Sequence, residues 1–229
     1  MVRSISLLFL LLITICDVIY PLTLWLVGFT FFPFQANGSL LAGPDGKPIG
    51  SLLIAQPFTH DVYFQPRPSA ASYAADASSS SALAPSNYAL RNRIAKQIGP
   101  LVKYSNGNLV WPDVTRWAAS HPTPAKAAFF DKWRTEHPNV PLQTLPGDFV
   151  TTSASGLDPH ISLDNAIYQL DRVARAWALK LKRNPNDIKS EIQQMLNDHA
   201  SAPFKGLIGE KMINVLEINL VLTKRYGAP

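Results

Sequence analysis

A short serine-rich segment ahead of a histidine has the residue types that could carry out chemistry. Ser153 and Ser155 precede His160, and a serine activated by a histidine base is an arrangement that hydrolases use for nucleophilic attack. The segment lacks a Gly-x-Ser-x-Gly turn and a clear third member of a triad. We therefore rank a hydrolase that uses Ser155 and His160 third of three functional hypotheses.

Three other patterns fall short of a site. His60 and Asp61 are adjacent, and in an extended segment adjacent side chains point to opposite faces. His121 and His137 are isolated from other metal ligands, and Gly43–Lys47 lacks the glycine spacing and the Ser or Thr of a phosphate-binding loop. The sequence therefore predicts no metal site, no catalytic residue and no stably bound cofactor.

The elements that must position any site begin with an apolar N-terminal run. Residues 5–32 carry one formal charge, and a helix needs about 20 apolar residues to cross a membrane, against about 7–15 in a signal peptide. We predict a retained transmembrane anchor at 5–32 and a soluble domain at 33–229. Arg3 precedes the run and Lys47 is the first basic residue after it, which favours a cytoplasmic N-terminus and an extracytoplasmic domain.

Asp17 is the one charged residue within this anchor, and Pro21 follows it at a position where it can kink the helix. A carboxylate at mid-depth either belongs to an ion pathway or packs against other membrane helices. Both interpretations require spanning partners. The net charge of +5 comes without a dense basic run, so nucleic acid is not an expected partner.

The soluble part is predicted to be an α+β domain with a small sheet and several helices. Residues 39–42 and 48–55 flank a Pro-Asp-Gly turn and predict two short strands. Residues 70–86 are mainly Ala and Ser, which predicts a mobile low-complexity loop. Residues 101–146 form a Pro- and aromatic-rich insertion, and its aromatic side chains either dock a partner or pack onto their own domain.

The strongest periodicity lies in the C-terminal part. Apolar residues at three- and four-residue steps predict a helix over 163–181 that is capped by Ser162 and followed by a second helix from Pro185. The other face of the first helix carries Gln169, Arg172 and Arg175, a polar and cationic face that suits a phosphate. Further elements are predicted as follows: short helices at 87–97 and 124–136, a strand at 149–152, and a closing strand at 212–222 with Glu217 and Asn219 on one face, where a helix remains possible.

Four blocks, in this order along the chain, resemble the C subunit of the Kdp potassium-transporting P-type ATPase. They are Phe32–Leu40, Phe64–Ala70, Thr152–Ser162 and Gly209–Leu220. The family-motif residues within them, to which the resemblance gives structural roles, are Gln35, Asn37, Arg67, Ser153, Ser155, Gly156, Asp158, Glu217 and Asn219. Asp17 and the long 101–146 stretch depart from the family pattern.

The resemblance implies a non-catalytic, single-pass accessory subunit of a high-affinity, ATP-driven potassium uptake complex in a bacterial inner membrane. Its partners would be the ion-conducting A subunit, the ATP-hydrolysing B subunit, a small F subunit and membrane lipid. The family's C subunit is described as needed for assembly and as a catalytic chaperone that promotes ATP use by the B subunit. ATP would then be bound only through the complex.

The resemblance also implies that Gln169 contacts nucleotide, with Arg172 and Arg175 beside it. The charge asymmetry around the anchor places that face outside the cytoplasm, where ATP is not handled. The alternative is therefore a purely structural extracytoplasmic cap on the ion-conducting subunit, without nucleotide contact.

Overall fold

The computed structural model describes residues 2–43, 46–84, 86–90, 102–120 and 128–228. The chain divides into two compact units, Met1–Leu53 and Ile54–Pro229. The first unit therefore holds both the apolar helix and the hairpin that follows it. The predicted domain boundary between residues 32 and 33 stays a prediction.

A long apolar helix dominates the first unit. It comprises α1 (Val2–Ile13), a π-helical segment (Thr14–Ile19) and α2 (Tyr20–Phe31). Residues Arg3–Phe31 have the length and composition of a membrane span, with a hydropathy of 2.4 and no buried residues. This finding confirms the predicted N-terminal apolar helix as a candidate span.

The π-helical segment accommodates Pro21. Proline has no N–H to donate, and in a regular helix its ring would clash with the carbonyl four residues earlier, that of Asp17. The helical turn instead contains one extra residue, so that the Tyr20 N–H donates to the Ile15 carbonyl, five residues earlier rather than four. Asp17 lies within this widened turn.

The hairpin follows a single helical turn, α3 (Pro33–Ala36). Strands β1 (Leu40–Ala42) and β2 (Pro48–Ser51) pair antiparallel, which confirms the hairpin that the turn residues predict, with a shorter second strand.

Over its described residues the second unit is mainly helical, with one two-stranded antiparallel sheet. Its helices are α4 (Trp111–Ala119), α5 (Ala128–Glu136), α6 (Gly147–Val150), α7 (Leu163–Leu181), α8 (Pro185–His199) and α9 (Val215–Tyr226). The sheet pairs β3 (His160–Ser162) with β4 (Met212–Asn214). The predicted combination of one apolar N-terminal helix with a domain of helices and small sheets is confirmed.

Helix α7 is the centre of the main core. Its apolar residues recur at helical spacing, so one face buries Leu170, Val173 and Trp177 against α8 and α9. The Ser162 hydroxyl accepts the Asn165 N–H at 3.1 Å and caps the first turn. The predicted bounds of this helix, 163–181, are confirmed, as is the start of the next helix at Pro185.

The aromatic residues of the 101–146 stretch form a second, smaller core. Val110, Val114 and Trp133 are buried together with Phe149, and Tyr168 of α7 belongs to the same cluster. The described aromatic residue Trp133 therefore packs onto its own domain rather than standing free for a partner.

Two predicted strands are wrong. Residues 147–150 form the helical turn α6 rather than part of a strand, because its geometry buries Phe149 beside Tyr168. Strand β4 ends at Asn214, whose side chain accepts the Glu217 N–H and starts α9. As a consequence Glu217 is exposed and Asn219 is buried, so they do not share a face.

Part of two predicted helices lies outside the described residues, at 91–97 and 124–127. The described end of the second, Ala128–Glu136, is helical.

The low-complexity stretch forms no helix or strand over its described residues, and its residues 78–81 form hydrogen bonds with the 151–157 segment. The Ser69 hydroxyl donates to the Gly156 carbonyl at 2.6 Å, and the Ser79 N–H donates to the Ser155 carbonyl at 3.0 Å. The first contact lies just before the stretch and the second lies within it. Its predicted mobility stays a prediction.

Gly156 is required where these two segments meet. Its φ is +73°, and a Cβ would lie 2.9 Å from the Ser79 carbonyl oxygen. We expect Gly156→Ala to lower the free energy of unfolding by about 2–5 kcal/mol, the sum of a left-handed backbone penalty and overpacking. Urea unfolding of the full chain in detergent measures the change.

Gly107→Ala is the matched control, because Gly107 has a φ of +83° and open space around it. It should cost only the backbone penalty, about 1–2 kcal/mol. Equal losses in the two variants would show that the close approach at Gly156 contributes nothing.

Candidate functional site

Residues 61–65 run from a turn into the main core without a neighbouring strand, and the Tyr63 N–H closes the turn by donating to the His60 carbonyl at 3.1 Å. Phe64 is fully buried within that core. Buried backbone N–H and C=O groups must find hydrogen-bond partners, and in a sheet the adjacent strand supplies them. Here the partners are side chains from α7 and α9, and we call this arrangement the clamp.

Two side-chain amides hold consecutive residues of the segment. Asn219 of α9 accepts the Phe64 N–H at 2.9 Å and donates to the Phe64 carbonyl at 2.9 Å. Gln169 of α7 accepts the Gln65 N–H at 2.8 Å and donates to the Gln65 carbonyl at 3.0 Å. Each amide therefore substitutes for one peptide group of a missing strand.

Two further α7 side chains complete the clamp. Arg172 donates to the carbonyls of Asp61 and Tyr63 at 2.8 and 3.0 Å, and the Trp177 indole N–H donates to the Val62 carbonyl at 2.8 Å. All five carbonyls from residue 61 to residue 65 thus accept a side-chain donor. Burial lowers the pKa of Arg172, and the Asp61 charge opposes that effect.

The amide of Gln169 is fully occupied inside the domain. Besides its two bonds to Gln65, it donates to Asn165 Oδ1 at 2.9 Å and accepts from Arg172 at 2.8 Å. Its residue is 3% exposed. A nucleotide could reach this amide only by displacing at least one of these partners, so the predicted nucleotide contact of Gln169 has to compete with the clamp.

Arg175 is the member of the predicted cationic face that points away from the clamp. It is exposed and makes no hydrogen bond or ion pair with any residue in the described ranges. It lines a pocket of about 260 Å³ between α7 and the start of α8, together with Asp171 and Lys189. Lys189 and Asp171 form an ion pair at 2.7 Å, so Arg175 is the unpaired charge there.

Lys103 is a polar residue that sequence patterns did not single out. It is 7% exposed and donates to the Tyr168 carbonyl at 2.8 Å and to Asp171 at 3.4 Å. Burial lowers the pKa of Lys103, although Asp171 opposes the effect. This lysine fastens the 101–146 stretch to α7. Its role had no local signal, because its partners lie more than sixty residues away in sequence.

The serine segment is not arranged for nucleophilic catalysis. The Ser155 hydroxyl accepts the Leu157 N–H at 3.1 Å, and Ser153 is buried. His160 is joined to Asp158 at 3.1 Å instead of to either serine. That hydrogen bond lowers the pKa of Asp158 against the effect of burial, and Arg67 contributes to the lowering.

Arg67, two residues after the segment 61–65 that the clamp holds, contacts the serine segment. It forms an ion pair with Asp158 at 3.6 Å and donates to Thr151 Oγ1 and the Thr152 carbonyl. Together with Gly156 and Asp158, Arg67 therefore holds two distant loops side by side, a structural arrangement.

The remaining predicted residues are described within their own units. In the first unit the Asn37 side chain donates to the Pro33 carbonyl at 2.7 Å, and the Gln35 carbonyl accepts the Gly38 N–H. In the second unit Glu217 is exposed on α9. His60 and Asp61 form no mutual hydrogen bond in the described part of the chain, where no three His, Cys, Asp or Glu residues group as metal ligands.

Comparison with known proteins identifies the family. Residues 2–224 match the family model described as KdpC: K+-transporting ATPase, c chain. The chain belongs to the KdpC family. Over 203 residues it is 40% identical to the potassium-transporting ATPase KdpC subunit of Rhodopseudomonas palustris strain BisB18, covering 89% of this chain and 87% of that protein.

More distant KdpC subunits give similar coverage. The chain is 37% identical to that of Caulobacter sp. strain K31 over 209 residues, covering 91% of this chain and 86% of that protein. It is 34% identical to that of Bacillus cereus over 210 residues, with 92% and 88% covered. The resemblance inferred from four blocks is confirmed, and the candidate span agrees with a membrane-anchored subunit of a potassium-transporting ATPase.

The clamp of this KdpC-family chain generates a stability prediction. Gln169→Leu keeps the side-chain volume similar but leaves the Gln65 N–H and carbonyl without partners. Because each unpaired buried polar group costs about 1–3 kcal/mol, we expect a loss of at least about 2 kcal/mol in the free energy of unfolding. Urea unfolding of the full chain in detergent, followed by circular dichroism, measures it.

Gln193→Leu on the exposed face of α8 is the control, and it should change the free energy of unfolding by less than about 0.5 kcal/mol. Equal stability of the two variants would mean that the Gln169 amide does not hold residue 65.

Proposed function

We propose that this chain is a non-catalytic accessory subunit that assembles with the ion-conducting and ATP-hydrolysing subunits of the potassium-transporting ATPase and stabilises their complex. The small F subunit and surrounding lipid complete its partners, in a bacterial inner membrane. The N-terminus is cytoplasmic, and the domain lies outside, over the ion-conducting subunit. One observation carries the proposal: the amide of Gln169 is fully used within the domain.

This observation favours assembly because a nucleotide would have to displace a partner of Gln169 before it could bind there. Arg172 is engaged in the same way by the carbonyls of residues 61 and 63. The polar side chains of this helix face form hydrogen bonds within the domain. The domain therefore offers its partners a rigid surface rather than an adaptable ligand site. The weak charge asymmetry around the anchor supports the outside location.

A second function keeps the same complex but places the domain beside its nucleotide-binding part, where the chain is a catalytic chaperone that promotes ATP use by the ATP-hydrolysing subunit. Arg175 is the observation that favours it, because this exposed guanidinium is unpaired within the described residues and lines a polar pocket with Lys189. An unpaired arginine is suited to a phosphate group. ATP would be bound only in the assembled complex, and no cofactor would be held stably by this chain alone.

Co-purification from cells with and without this chain tests the proposed assembly role. Without it, we expect the partner subunits to separate in detergent and potassium-stimulated ATP hydrolysis in the membranes to be lost. The full chain should restore both. Recovery of an intact, active complex from cells that lack the chain would contradict the proposal.

Measuring the KM for ATP of the assembled complex distinguishes the two functions. Arg175→Ala removes the free cation without touching the clamp, so assembly alone predicts an unchanged KM. A rise of about tenfold, equivalent to about 1.4 kcal/mol of lost binding free energy, would instead support the catalytic chaperone. Lys224→Ala, which removes an exposed cation from the end of α9, is the matched control.

A further inference from the structure

A cleft with a volume of about 650 Å³ opens at the N-terminal end of α7, apart from the clamp. One wall is the segment 143–148, which leads into α6, and another is formed by α7. Glu210 and Met212, at the start of β4, form a third. The volume is within the range of cavities that bury a substantial group of another molecule.

The inside of this cleft is partly apolar. Leu145, Pro146, Ile167 and Met212 line it. Ile167 is 42% exposed although its neighbours Ala166 and Tyr168 are buried. An isoleucine left open in a concave site, on a helix whose other apolar residues are mostly buried, marks a surface that a partner can cover.

The charged groups of the cleft are mainly acidic. Asp148, Asp164 and Glu210 line it against one cation, Arg67. Arg67 already has Asp158 as its counter-ion at 3.6 Å. The Asp148 carboxylate is occupied as well, since it accepts the Ser162 N–H, the Ser162 hydroxyl and the Asn165 amide.

Two carboxylates remain unengaged. Asp164 and Glu210 are exposed, and neither makes a hydrogen bond or ion pair with a residue in the described part of the chain. The chain as a whole carries a net charge of +5. An acidic opening with an apolar interior in an otherwise basic protein is complementary to a cationic, partly apolar peptide and repels an anionic lipid surface.

We propose that this cleft receives a basic segment of a partner subunit, with a Lys or Arg side chain between Asp164 and Glu210 and an adjacent apolar side chain against Ile167 and Met212. The inference rests on the proposed assembly function and assigns it a contact site. A peptide suits the cleft better than a bare cation does, because four of the lining side chains are apolar and cannot coordinate an ion.

Photocross-linking in the intact complex tests the occupant. Ile167 and, as a control on the same helix, Leu179 are each replaced by p-benzoylphenylalanine, which reacts with whatever lies beside it. Leu179 is 84% exposed and lies three turns away. We expect position 167, but not 179, to yield a cross-linked partner peptide with Lys or Arg within three residues of the attachment point. Cross-links from position 167 to lipid alone, or none, would overturn the proposal.

Charge reversal provides a second measurement that leaves the cleft wall intact. Asp164→Lys with Glu210→Lys places cations against the proposed cation, so we expect roughly tenfold less of this chain to stay with the complex at physiological salt. Asp76→Lys with Asp198→Lys changes two exposed acids away from the cleft by the same total charge and should be retained normally.

The outcomes separate this inference from the function on which it rests. If the complex requires the chain but retains the charge-reversed variant as well as the control, the cleft assignment is wrong and the assembly function stands. If the complex forms without the chain, the assembly function is wrong. Should the charge-reversed variant fail to accumulate, the cross-link from position 167 decides.

Discussion

The second unit depends on how one segment, residues 61–65, is held without a neighbouring strand. A buried peptide group that lacks a hydrogen bond costs about 1–3 kcal/mol, whereas a typical hydrogen bond contributes a net gain of about 0.5–1.5 kcal/mol. Here α7 and α9 provide the missing partners through Gln169, Arg172, Trp177 and Asn219. Phe64 can then enter the core between these helices, and the main core closes around it.

This constraint changes the meaning of the polar residues on α7. A glutamine with two nearby arginines on one helix face is typical of a phosphate site when it is considered alone. In the folded chain, Gln169 and Arg172 bind backbone groups of the same domain, and of these three side chains Arg175 alone has no partner among the described residues. On α7 the residues available to partners are therefore exposed ones such as Asp164, Ile167 and Arg175 rather than Gln169 and Arg172.

Sequence patterns predicted the elements of the fold that depend on neighbouring residues, such as helix periodicity, a helix cap and a turn. The 3.6-residue period and the Ser162 cap defined α7 to the residue, and the Pro-Asp-Gly turn indicated the hairpin. The run after Met212 was predicted as a strand because its apolar residues do not distinguish the two periods. The three-residue spacing of Asn214 and Glu217 was the signal in the sequence for a helix start there. Once the Asn214 side chain caps α9, the helix is favoured over the strand that the β propensity of this run suggests.

The clamp could not be predicted because its partners are far apart in sequence. Gln169 meets Gln65 across 104 residues and Asn219 meets Phe64 across 155, and no periodicity links such pairs. The family resemblance did single out Asn219 and Gln169, but not what they bind. Lys103 carried no motif for the same reason, because its partners Tyr168 and Asp171 lie more than sixty residues away in sequence.

Amide hydrogen exchange at Phe64 and Gln65 tests the clamp most directly. Both N–H groups donate to buried side-chain amides, so they should exchange as slowly as the core residues of α7 such as Val173 and open only when the domain unfolds. Exchange as fast as that of an exposed loop amide, such as Ser80, would show that the segment is not held by side chains, and the account of this domain would be wrong.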